Sequence, residues 1–185
     1  MEYQILRSRR KTLSIEITPR GEIIVRTPSR MAKRDIQRFV ESRRDWIEDH
    51  LSRIPNVTPL TETAHKALIR AAKEILPQKA AFFAQKMGIT FGRITIRSQH
   101  TRWGSCSAAG NLSFNCLLML APEEVQDYVV VHELCHRREM NHSPRFWALV
   151  ADILPDHRTQ RQWLKENGAS LMARLPDSDT GKNNT

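Results

Sequence analysis

One stretch of this 185-residue chain constrains the rest: His132-Glu133-Leu134-Cys135-His136, followed six residues later by His142. Residues four apart share one face of a helix, so His132 and His136 aim two imidazoles at a single point if this stretch is helical. Glu133 then stands beside them, placed to take a proton from an attacking water. Catalytic zinc ordinarily takes three protein ligands and keeps a further position for water. His142 is the natural third.

The neighbouring residues agree with a helix. Pro122 suits its first position, and Glu123 and Glu124 suit its first turn. Val125, Tyr128, Val129 and His132 then recur at helical spacing. Ser143-Pro144 reads as an N-cap and first-turn proline, so a new helix starts there and His142 lies at the joint between two helices. Cys135 falls on another face and is expected to pack in the core. Phe146 and Trp147 are expected to be core residues bracing the loop of His142. His50, His65, His100 and His157 stand alone and are expected at the surface.

The rest of the chain reads as α+β. Leu13, Ile15 and Ile17 alternate, Thr18-Pro19-Arg20-Gly21 marks a turn, and Ile23 and Val25 resume: a β-hairpin ended by Pro28-Ser29. Ile36, Phe39, Val40, Ile47 and Leu51 predict one amphipathic helix over about 31–52. A linker from Pro55 to Pro59 leads to a long helix from near Thr61 to Met87, with Pro77 inside it and Gly88 as its stop. Strands are expected around 92–98, 101–106 and 111–118, with Ala108-Ala109-Gly110 as a turn. After the motif helix come helices at about 144–154 and 157–167, the second ending at Gly168. The expected organisation is a hairpin–helix subdomain at 1–54, a metallohydrolase domain at 60–168 and a disordered tail at 175–185.

Cysteines Cys106, Cys116 and Cys135 are odd in number and lie among apolar or small residues, which suits free thiols in a reducing cytoplasm. The start Met1-Glu2-Tyr3-Gln4 lacks an apolar signal core, and no apolar run reaches membrane-spanning length. The net charge of +9 is uneven. Residues 1–54 carry 13 basic and 8 acidic side chains, 55–122 carry 8 and 2, and the motif-bearing remainder 8 and 10. A basic surface of this kind suits a polyanion such as nucleic acid or an anionic small substrate, and equally a solvated face.

Three segments together resemble the YgjP-like metal-dependent hydrolase family. They are Thr101-Arg102-Trp103-Gly104-Ser105-Cys106-Ser107, then Tyr128 to His136, then Asn141-His142-Ser143-Pro144-Arg145-Phe146-Trp147. The N-terminal Arg-Ser-Arg-Arg-Lys-Thr-Leu and the Trp46-Ile47 helix are similar too, so the likeness runs from about residue 5 to 165. The His-Ser-x-x-Phe-Trp segment also looks like that of SprT-type and WLM-type proteases. The resemblance implies a zincin-like core of a small sheet backed by helices. It implies His132, His136 and His142 as Zn²⁺ ligands and Glu133 as catalyst, and so a metallopeptidase. Nickel or cobalt would suit the same ligands. Some members of the family are described as pyrophosphohydrolases of nucleoside triphosphates, acting on UTP. Zincins with this spacing often carry a glycine where this chain has Glu139.

Substrate residues are less constrained. Arg102 suits a carboxylate or phosphate, or else stacks on Trp103. Asn115, on the polar side of a strand, suits a substrate hydrogen bond or the backbone of a nearby loop. The substrate is then a peptide or an anionic nucleotide. A second reading makes the protein nucleic-acid-associated, with a structural metal site. Glu133 speaks against that reading, since a structural site needs no proton acceptor beside its ligands.

Overall fold

The computed structural model describes residues 1–18, 21–54 and 57–176. The chain divides into two units, one ending at Val57 and one beginning at Thr58. The fold is α+β throughout.

In the first unit, strands β1 (Gln4–Ser8), β2 (Ser14–Ile17) and β3 (Ile23–Pro28) form a sheet of order β1-β3-β2. β2 and β3 pair antiparallel with Ile15 opposite Val25, as the alternation predicts. Pro19 and Arg20 of the expected turn lie outside the described residues. β1 pairs parallel to β3 and is a finding of the structure. Its sequence, Gln-Ile-Leu-Arg-Ser, is mostly exposed, so no apolar alternation announces it.

The single helix expected over 31–52 is two: α1 (Lys33–Glu41) and α2 (Arg44–Ser52). The Ser42 hydroxyl donates to the Phe39 carbonyl at 2.7 Å, and Arg43 leaves helical geometry at φ −114° and ψ 11°. A serine bonded back onto its own helix gives the backbone an alternative to the next helical turn. The apolar face survives the break. Ile36, Val40 and Ile47 pack with Ile23 and Val25 into one small core.

The second unit starts with α3 (Glu62–Met87). The Thr61 side chain accepts from the Ala64 N–H, and Gly88 ends the helix in the left-handed region at φ 61°. Pro55 and Asn56 of the expected linker lie outside the described residues. Strands β4 (Ile94–Arg97), β5 (Gly104–Cys106) and β6 (Leu112–Asn115) form a sheet of order β4-β6-β5, with β4 parallel and β5 antiparallel to β6. The expected strand to 118 stops at Asn115, where a 3-10 helix (Cys116–Leu120) begins. Asn115 causes the change, because its side-chain oxygen accepts from the Leu117 N–H. Leu117 and Leu118 are both fully buried, which two successive residues of a one-sided strand are not.

Then follow α4 (Glu123–Cys135), α5 (Pro144–Ile153) and α6 (His157–Met172). α4 is the central helix. It packs against α3, α5, α6 and β5, and Val130, Val131, Leu134 and Cys135 are fully buried. α6 does not end at Gly168; that glycine packs under the Trp103 indole and the helix runs four residues further. Leu175, expected in the tail, is buried in the core, and the tail from 177 onward lies outside the described residues. Among the described residues no helix is long and apolar enough to cross a membrane.

One polar contact fixes how α3 lies on α4. The Lys79 ammonium, 14% exposed, donates to Asp127 at 2.6 Å and to Glu123 at 2.8 Å. Removing one partner of a half-buried ion pair leaves the other charge uncompensated. We expect Lys79→Ala to lower unfolding free energy by about 1–3 kcal/mol. Lys79→Met restores the apolar stem and should recover part of that loss. Chemical denaturation of both variants measures it.

Candidate metal centre

The helical spacing of His132 and His136 survives in three dimensions. His136 closes α4 with φ −63° and ψ −13°, still on the helical track, and its ring centroid lies 5.0 Å from that of His132. The third imidazole arrives from the joint before α5. The Ser143 hydroxyl accepts from the Phe146 N–H, and Pro144 opens the helix. This cap turns the chain so that the His142 ring lies 4.9 Å from both other rings. One nitrogen from each of the three histidines falls within 4.8 Å of the others, and the His132 and His142 Nε2 atoms are 2.9 Å apart.

Donor orientation is built in. The His136 Nδ1–H donates to the Glu139 carbonyl at 3.1 Å, which leaves its Nε2 lone pair facing the cluster. Position 139 therefore contributes through its backbone, not through the freedom of a glycine. His132 is held far below the ordinary imidazole range, at about 3, first by burial and then by His136, His142 and Arg161. Its ring is thus neutral, as a metal ligand must be. Its Nδ1 is buried with no hydrogen-bond partner among the described residues. The Phe146 ring lies 4.6–4.8 Å from all three imidazoles, and Trp147 stacks on His142 at 5.7 Å. Phe146 is fully buried, and both aromatics brace the His142 loop.

Glu133 points inward and is only 6% exposed. Burial pushes its carboxyl up to about 8, and the charge of Arg102 opposes that rise. Three imidazole nitrogens that converge on one point form an all-nitrogen donor set. A divalent cation fits it. Cys135 is fully buried and its thiol is pushed up to about 12, so it belongs to the core and not to this donor set.

Gly104 was not singled out by sequence reasoning. A Cβ at that position would lie 2.7 Å from both Cγ and Oε1 of Glu133. Strand β5 passes so close over the carboxylate that only glycine leaves it room. The basic pair after the motif was also silent in the sequence. Arg138 donates to the Met87 carbonyl at the end of α3 at 2.6 Å, and Arg137 to the Thr90 carbonyl at 3.0 Å. Together they pin the C-terminal end of α4.

The two candidate substrate residues part company. Asn115 is fully buried; its amide donates to the Gln99 and Arg102 carbonyls and its oxygen holds the Leu117 N–H. Through the Gln99 and Arg102 carbonyls it clamps the loop that carries Arg102. Arg102 is exposed and lies near enough for its charge to act on Glu133. Among the described residues it makes no stack on Trp103. The cation–π pair is made instead by Arg161, whose guanidinium lies 4.8 Å from the Trp147 ring centroid. His157, expected at the surface, is buried and stacks on Trp147 at 5.8 Å.

The profile of the YgjP-like metallopeptidase domain matches residues 11–67 and 58–167. No curated protein matches the chain. Two solved structures are similar over part of it. One is the metallopeptidase zymogen abylysin of Pyrococcus abyssi, at 19% identity over 55% of this chain and 100% of that one, with a TM-score of 0.46. The other is the zymogen jannalysin of Methanocaldococcus jannaschii, at 17% identity over 50% and 95%, with a TM-score of 0.45.

Gly104→Ala is expected to leave metal content at the wild-type level and to lower kcat by about a hundredfold, the usual cost of displacing a reacting group by about 1 Å. Elemental analysis alongside turnover checks both halves.

Proposed function

This chain belongs to the YgjP-like metallopeptidase family and is a metal-dependent hydrolase; from that premise we propose that it cleaves peptide bonds at the His132–His136–His142 centre, with zinc as the ion and Glu133 as general base. The observation that carries the reading is the meeting of three imidazole nitrogens within 4.8 Å of one another, with the buried Glu133 following His132 on the same helix.

A divalent ion held by His132, His136 and His142 would polarise the attacked carbonyl, acidify the attacking water and favour the ionised form of Glu133. Glu133 Oε then takes the water's proton and returns it to the departing amine. Gly104 leaves the carboxylate its room, since a Cβ there would lie 2.7 Å from its Cγ and Oε1. His136 keeps its tautomer through the Glu139 carbonyl. Phe146 and Trp147 keep the His142 loop from moving and exclude water from one side of the rings. Arg102, exposed near the carboxylate, orients a carboxylate or carbonyl of the substrate with its planar fork.

Four measurements test this. His132→Ala with His136→Ala should abolish binding of about one zinc per chain; wild-type metal content in that variant refutes the ligand set. Glu133→Gln should keep the metal and lower kcat on a cleaved peptide by about 10²–10⁴-fold. The metal-loaded protein should be offered a mixed peptide library and, separately, a panel of nucleoside triphosphates. Turnover of triphosphates with none of peptides overturns the peptidase reading. For Arg102→Ala, KM should rise and melting temperature stay constant, with Arg102→Lys recovering only part of the loss.

A further inference from the structure

Beside the histidine cluster, on the far side of Trp147, the structure carries a groove of about 670 Å³ lined by Trp147, His157, Arg158, Arg161, Gln162 and Lys165. Five of these six belong to one face of α6, at the helical spacing of 157, 158, 161, 162 and 165. We propose that this groove is the specificity subsite for a carboxylate of the peptide substrate, an acidic side chain next to the scissile bond. The proposal rests on the peptidase reading above and adds to it the class of residue selected.

Four features point to an anion. First, Arg158, Arg161 and Lys165 are exposed, and none has an acidic partner among the described residues. Like charges three and four apart on a helix repel, so the face costs α6 stability as it stands. Second, Arg158 is a base in the first turn of α6, where the helix dipole favours an acid, while Asp156 stands at the N-cap outside the groove lining. Third, the cations are partly preorganised. The Arg161 guanidinium carbon lies 4.8 Å from the Trp147 ring centroid, while His157, anchored by its Nδ1–H to the Leu154 carbonyl at 3.2 Å, stacks on the same indole. A planar guanidinium held this way loses little freedom on gripping a carboxylate.

Fourth, the groove communicates with the reaction centre through shared walls. Trp147 stacks on His142 at 5.7 Å and on His157 at 5.8 Å, so one indole borders both the histidine cluster and the groove. A residue seated in the groove therefore lies within a short stretch of chain from the bond at the centre. The groove holds no acidic lining residue, so a lysine or arginine side chain meets only repulsion there.

The test uses the full-length, metal-loaded protein and a cleaved peptide varied at each position flanking the scissile bond among Glu, Gln and Lys. At one position Glu should exceed Gln in kcat/KM by about tenfold, the worth of one charge-assisted hydrogen bond, with Lys the slowest. The gain should shrink as salt rises from 0.1 to 1 M. Arg158→Glu with Lys165→Glu should invert the order at that position alone, which a purely structural loss cannot do. If that double variant fails to fold, Lys165→Gln, at an exposed site, should still lower the Glu-to-Gln ratio. A preference that follows the free C-terminus and vanishes on amidation assigns the carboxylate to the chain end and overturns the side-chain assignment. A flat Glu-to-Gln ratio, or one unchanged in the charge-reversed variant, overturns the subsite while leaving the peptidase reading intact. If no peptide is cleaved, the peptidase reading fails instead. Calorimetric binding of the Glu and Gln peptides to the metal-loaded Glu133→Gln variant then decides the groove separately, and equal affinities overturn it.

Discussion

Everything in the second unit is arranged around the desolvation of two adjacent polar residues on a central helix. α4 is buried on nearly all sides, yet it carries the partly buried His132 and the buried Glu133 where a core helix would carry leucine. Burying an unpaired carboxyl or imidazole costs several kcal/mol unless the charged form is given up. Burial acts on both toward the neutral form: it pulls the His132 imidazole down to about 3 and pushes the Glu133 carboxyl up to about 8. That arrangement costs stability as folded and becomes favourable when a cation enters. Sites of this kind are where function and local strain coincide.

The supporting structure follows from holding those two groups still. Gly104 lets β5 close over the carboxylate. Asn115 clamps the loop leading into β5 from behind, through the Gln99 and Arg102 carbonyls. Arg137 and Arg138 tie the end of α4 to the carbonyls that follow and end α3. Lys79 does the same at the other end of the helix through Glu123 and Asp127. The ligand geometry thus depends on contacts at both ends of α4 and on one strand, none of which supplies a donor atom itself.

How much of this is legible in the sequence differs by residue. The motif histidines and the Ser143–Pro144 joint are readable because helical spacing and capping are local rules. The bounds of α3 are readable for the same reason, through Thr61 and Gly88. Local rules fail where a side chain spends its hydrogen bonds on the backbone. Ser42 splits one expected helix into two, and Asn115 converts a strand into a 3-10 helix. They fail again for β1, an exposed strand whose only cause is its pairing with β3. Charge counting misleads at α6: the basic face there lies in a segment with more acids than bases, so its sign appears only when helix faces are separated. Gly104 is legible as a glycine but not as a space for Glu133, because that contact joins residues 29 apart in sequence.

The central claim is that three histidines of this chain hold a catalytic ion with a position left for the substrate. X-ray absorption at the metal edge of the zinc-loaded protein tests it most directly. The account predicts three imidazole nitrogens at about 2.0–2.1 Å and one lighter oxygen scatterer at a similar distance. It also predicts no sulfur, because the three-histidine cluster contains none of the cysteines among the described residues. A shell with a sulfur at about 2.3 Å, or one closed by four protein ligands, contradicts it and indicates a structural site instead.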